Sequence, residues 1–148
     1  MTKQTGNFTG VTEDYFSIAA DAPTEWPTDE IDCAVSRANA VIALVMIFLS
    51  HEEVRPLDST LCDAIWSAVG DVALISKLAC HYNNEAIHTA ARQVDSGLSA
   101  VMMFLYEPEG QPADYMLSDC LGLAVAQLVE IKKLSDLERE QQRLLNVA

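Results

Sequence analysis

Basic residues are scarce in this chain. Nine lysines and arginines stand against 22 aspartates and glutamates, a formal net charge of −13 over 148 residues. Binding nucleic acid or an anionic membrane requires a basic surface that displaces counterions, so this balance excludes both as general partners. A protein with a basic surface is the electrostatically natural partner. Glycine is thin as well: the six glycines never cluster, and the patterns G-x-G-x-x-G, G-x-x-x-x-G-K-[ST] and G-x-S-x-G are all absent. With them go the phosphate-cradling loops and the strained nucleophile turn that those patterns build.

The four cysteines, Cys33, Cys62, Cys80 and Cys120, form no C-x-x-C pair and no close Cys/His grouping, so no zinc site is legible. Each falls in or at the end of an apolar helical pattern, which predicts small buried hydrophobes in a reducing cytoplasm. Lys3 is followed by Thr, Gly, Asn and acids and not by an apolar stretch with a cleavage site, so no signal peptide is read and a cytoplasmic location is expected. Long apolar runs are missing too. Between Arg37 and His51 lie 13 residues, of which Ala38 to Leu49 has Asn39 as its only polar member. A membrane span needs about 20. A helix buried on most sides, or one sharing a face with another subunit, is expected instead.

What the chain does have is a repeat. Residues 34–78 lie on residues 90–134 at a constant offset of 56 without a gap, with identities such as Val45/Val101, Met46/Met102, Phe48/Phe104, Leu49/Leu105, Pro56/Pro112, Asp58/Asp114 and Leu61/Leu117. Two apolar runs with a turn between them, given twice, predict two helical hairpins. The offset is also a whole number of heptads, so both copies keep one phase.

Apolar residues alternating three and four apart then place four helices. The first is capped at Thr28 and uses Ile31, Val35, Ala38, Ile42, Val45 and Leu49. The second opens at Asp58, with Leu57 as a staple, and uses Leu61, Ile65, Ala68, Val72, Ile75, Ala79 and Tyr82. The third starts at Asn83 and Asn84, uses Ile87, Ala91, Val94, Leu98, Val101 and Leu105, and is stopped by Pro108 and Gly110. The fourth runs from Asp114, its cap, to about Asn146 through Leu117, Leu121, Ala124, Leu128 and Ile131. Short connections make neighbours antiparallel. The expected fold is all-α: an up-down-up-down four-helix bundle over residues 29–148, preceded by an extended arm, residues 1–28. The fourth helix should overhang, continuing the spacing with Leu134, Leu137, Gln141 and Leu144, and the overhang suits a coiled-coil contact.

The arm carries Phe8, Tyr15, Phe16 and Trp26, four of the ten aromatics of the chain, which argues against a simple disordered tail. Tyr15, Phe16 and Trp26 are candidate partner-binding residues.

Catalytic and metal constellations are incomplete. His51-Glu52-Glu53 begins like H-E-x-x-H, but Arg55 stands where the second histidine belongs, and Val54, Arg55 and Pro56 also break an E-E-x-x-E magnesium array. Glu85-x-x-His88, with His81 nearby, has the spacing of a di-iron pair, yet its repeat mates are Asp29 and Asp32 and no second such pair exists. Capping or solvent-facing roles are expected for these side chains, with no metal and no cofactor.

The acids are placed unevenly. Glu52, Glu53, Asp58 and Asp63 gather at the first hairpin turn, and Glu107, Glu109, Asp114 and Asp119 at the second, which the topology brings to one pole beside the lone base Arg55. Asp58 and Asp114 sit at helix starts, where acids are stabilising, but Glu52, Glu53, Glu107 and Glu109 lie near helix C-termini and oppose the dipole. They form the candidate partner-binding pole. The leading expectation is a non-enzymatic binding protein that occupies a partner's basic surface, of the inhibitor, immunity or adaptor type used by phages and bacteria, including anti-defence proteins. The alternatives are a metal- or ligand-binding bundle acting as enzyme or carrier, and a structural homo-oligomer, a homodimer first, joined through its apolar first and third helices.

Overall fold

Among the described residues, periodic apolar positions form four helices, α1 (Thr28–Leu49), α2 (Asp58–His81), α3 (Glu85–Tyr106) and α4 (Asp114–Val147), with a 3-10 turn at Glu52–Val54. The computed structural model describes residues 25–107 and 113–147, and among these there is no strand. Each helix packs on its neighbours in sequence, and α1 closes the ring against α4. The described residues thus form an all-α bundle of four helices.

The core reproduces the 56-residue offset. Ile31/Ile87, Ala38/Val94, Ile42/Leu98, Val45/Val101, Leu49/Leu105, Leu61/Leu117, Ile65/Leu121, Ala68/Ala124, Val72/Leu128 and Ile75/Ile131 are buried in both copies. The neighbour contacts α1 with α2 and α2 with α3 map onto α3 with α4 and α4 with α1 when the hairpins are exchanged, as a pseudo-twofold requires. Two ion pairs tie the ring across its surface, Arg37 to Asp71 between α1 and α2 at 2.9 Å and Lys132 to Asp32 between α4 and α1 at 3.2 Å.

The turn between α2 and α3 is the most completely specified joint. Asn83 takes a left-handed φ of 60°, which asparagine tolerates better than most residues. Asn83 N–H then donates to the Cys80 carbonyl and Asn84 N–H to the Ala79 carbonyl, the bond pair that closes a helix end when its last residue is left-handed. Asn84 goes on to cap α3 by accepting from Ile87 N–H, and its amide donates to Glu138 of α4 at 3.0 Å.

Other ends differ from expectation. Pro27 occupies the N-cap of α1 and makes no side-chain cap bond, while Thr28 is already helical and buried with its Oγ1 unpartnered. Asp58 and Asp114 are first helical residues, not caps; Leu57 holds the cap position of α2 and points to solvent, 76% exposed, so no staple forms.

Only Cys62 is buried, whereas Cys33, Cys80 and Cys120 are exposed. Position beside an apolar stripe does not mean position within it: one residue turns a side chain by about 100° around the helix. Burial, followed by the charges of Asp58 and Asp63, raises the pKa of Cys62 above its ordinary value. A thiol reagent read by intact mass should therefore label Cys33, Cys80 and Cys120 in the native protein and Cys62 only in denaturant; rapid native labelling of Cys62 would contradict its burial. Between the unfolded and native pKa of Cys62 the native state binds more protons, so this group lowers stability as pH rises through that window.

Within the run 41–49, Ile42, Val45 and Leu49 are core, Val41, Met46 and Phe48 are partly buried, and Ala43, Leu44 and Ile47 are exposed. By length and composition alone α1 is long and apolar enough to cross a membrane, since the helix extends well beyond the 13-residue run. In the bundle its buried stripe serves as one quarter of a core.

Candidate functional site

Both hairpin turns end at the same pole because consecutive helices are antiparallel. Arg55 lies at its centre. The 3-10 turn leads into an extended Arg55, with φ −68° and ψ 121°, which carries the guanidinium across the bundle end. Its Nη1 donates to Asp58 Oδ1 at 2.7 Å, its Nε to Asp114 Oδ2 at 2.8 Å, and its Nη2 to Asp114 Oδ1 at 3.3 Å. One arginine therefore bridges two repeat-mate aspartates, binding Asp114 with both prongs in the geometry that a planar guanidinium favours. Burial works against the Arg55 charge, and the bonds to Asp114 and then Asp58 outweigh it, raising the pKa above its ordinary value.

Joining the start of α4 to the first turn and the start of α2 is the physical consequence. Replacing Arg55 with Met should lower stability by about 1–2 kcal/mol, a charged hydrogen-bond loss discounted for partial exposure, and the loss should shrink in high salt. Urea unfolding at two salt concentrations measures it, and an unchanged midpoint in low salt would show that the bridge contributes nothing.

Since Asp58 and Asp114 neutralise Arg55, the remaining acids at this end have no base among themselves. Glu52, Glu53, Asp63, Glu107 and Asp119 are all exposed. An open cleft of 1010 Å³ lies between the first turn and the start of α4, with Glu52, Arg55, Asp58, Asp114, Tyr115 and Asp119 among its walls. The structure thus assembles Glu52, Glu53 and Glu107 at one pole, as the repeat implied. Glu109, Tyr15 and Phe16 lie outside the described residues.

Trp26 is at the other end and is not free. It is 5% exposed, its indole N–H donates to Ser135 Oγ at 2.8 Å, its backbone N–H to Gln142 Oε1 at 3.0 Å, and its ring meets the Tyr82 ring edge-on with centroids 5.9 Å apart. The exposure that partner docking would need is absent in this state. Burial, and then the charge of Glu30, raises the pKa of Tyr82. Trp26 and Tyr82 are themselves 56 residues apart, so the repeat continues beyond residue 34 to the arm, a signal that extending the offset backward would have found. The expected overhang of α4 is correspondingly shorter, because Ser135 and Gln142 receive Trp26 and Glu138 receives Asn84 of the α2–α3 turn.

The histidines are engaged locally. His51 Nδ1 lies 2.9 Å from the Ile47 carbonyl oxygen, His88 Nδ1 lies 3.0 Å from Ser76 Oγ, and the His81 ring meets Tyr82 edge-on. Among the described residues no group of three His, Cys, Asp or Glu side chains is placed to hold a metal ion. Comparison with known proteins finds no matching protein-family model, curated protein or solved structure, so what can be said of the pole is carried by its own geometry.

Proposed function

We propose that this chain is a cytoplasmic, non-enzymatic binding protein of the inhibitor, immunity or adaptor type, whose acidic pole occupies and blocks a basic surface on a partner protein. One observation carries the reading: the pole's central base, Arg55, is neutralised by Asp58 and Asp114, leaving five exposed carboxylates at this end of the bundle with no base to balance them, of which Glu52 and Asp119 line the open cleft. Such a field attracts and orients a basic partner before contact is made. Three exposed thiols suit a reducing compartment, where they stay unoxidised.

The test is a titration with an oligo-lysine peptide followed by amide chemical shifts. Two variants with equal charge loss complete it: Glu52, Glu53, Glu107 and Glu109 to Gln, and Asp29, Glu30, Glu85 and Asp95 to Asn or Gln. Shifts clustered at the pole, and weaker binding by the pole variant alone, are the expected result. Equal weakening by both variants would reduce the pole to a solubilising surface.

A further inference from the structure

Helix α4 carries two seams. The inner one, Leu117, Leu121, Ala124, Leu128, Ile131 and Ser135, is buried in the bundle. The outer one follows a strict interval of seven: Met116, Leu123, Glu130, Leu137 and Leu144 are all exposed, the four apolar members by 48%, 71%, 54% and 57%. Cys120, Gln127, Leu134 and Gln141 fall between them and complete a four-three alternation, the pattern of a helix that faces another helix. Scattered exposed leucines are ordinary, but a heptad stripe running from Met116 to Leu144 is not.

Charge identifies the occupant. Residues 114–131 hold Asp114, Asp119 and Glu130 and no base; residues 132–147 hold Lys132, Lys133, Arg139 and Arg143 against Asp136, Glu138 and Glu140. The first part of α4 has charge −3 and the second +1, in a chain of −13 with nine bases altogether. A second α4 laid antiparallel sets the acidic part of each copy on the basic part of the other, whereas a parallel copy sets like on like. A twofold axis between Glu130 and Lys133 brings each Glu130 to Lys133 of the other copy.

We propose that the outer face of α4 binds a second copy of this chain in an antiparallel helix pair, with Leu123, Leu137 and Leu144 as its apolar contacts and Glu130 with Lys133 as its charge pairs. The two acidic poles then lie at opposite ends of the dimer, and Asp119 of each pole faces the basic end of the other copy's α4. This interface does not rest on the function proposed for the pole, and its test requires no partner.

Sedimentation equilibrium over a concentration series reads the result directly. The wild-type mass should approach twice 16.2 kDa, and Leu137→Asp should remain at one chain. Lys133→Glu and Glu130→Lys should each weaken association at least about tenfold, a 1.4 kcal/mol effect, and the double variant Glu130→Lys/Lys133→Glu should restore it. Circular dichroism establishes that each variant is folded, which exposed positions permit. A single-chain mass for the wild type at every concentration would overturn the proposal, as would single charge variants that associate like the wild type or a double variant that fails to recover.

Discussion

Ile75→Ala and Ile131→Ala should each destabilise the bundle by about 2–5 kcal/mol, and by amounts within about 1 kcal/mol of one another. Both side chains are fully buried, and they are the same residue at the same place in the two copies of the repeat. Each truncation removes the same methyl and methylene groups and leaves a cavity whose residual volume sets the cost. If the hairpins pack by one pseudo-twofold, the two cavities have equivalent walls. Chemical unfolding followed by circular dichroism gives both values. A difference of several kcal/mol would mean that the sites relax differently and that the symmetry of the backbone does not extend to the packing.

Trp26→Ala should cost about 3–5 kcal/mol, an effect outside the range of surface substitutions. The residue precedes the first helix and reads in sequence as a partner-binding aromatic of the arm, yet its ring closes one end of the core between Tyr82 and Ser135. Trp26→Phe should retain much of the ring burial and lose the indole bond, leaving Ser135 Oγ without that donor in a fully buried position. An intermediate loss of about 1–3 kcal/mol is expected there, partly relieved by a second change, Ser135→Ala, that removes the orphaned hydroxyl. A Trp26→Ala protein within about 0.5 kcal/mol of the wild type would show that the Trp26 contacts are dispensable to the bundle.

The two sets of truncations probe features of very different legibility. Ile75 and Ile131 could be named as core residues from spacing, because a buried helical stripe is a local property of residue order. Trp26 could not be placed so, since its partners Ser135 and Gln142 lie 109 and 116 residues away and belong to a stretch of α4 whose own pattern indicates only an exposed end. Cysteine burial failed for a related reason. Cys33, Cys80 and Cys120 stand next to core positions on their helices, and which neighbour of a stripe is covered depends on where the adjoining helix passes. At the acidic pole the crowd of carboxylates was visible in the repeat, but the bridge was not. Arg55 is a single cation among eight acids, and nothing in the order of residues says which of them it takes.

Residue order alone determined four helices, their antiparallel succession, their core faces and the gathering of acids at one end, because helical periodicity, turn residues and a 56-residue offset act over short distances or by plain repetition. Tertiary structure decided the rest: that Arg55 joins Asp58 to Asp114, that Trp26 is a core residue, and that α4 keeps a second, uncovered seam. These outcomes turn on which side chains meet when helices distant in sequence close into a ring. Side-chain reach and helix rotation settle such meetings, and neither is written in the local pattern.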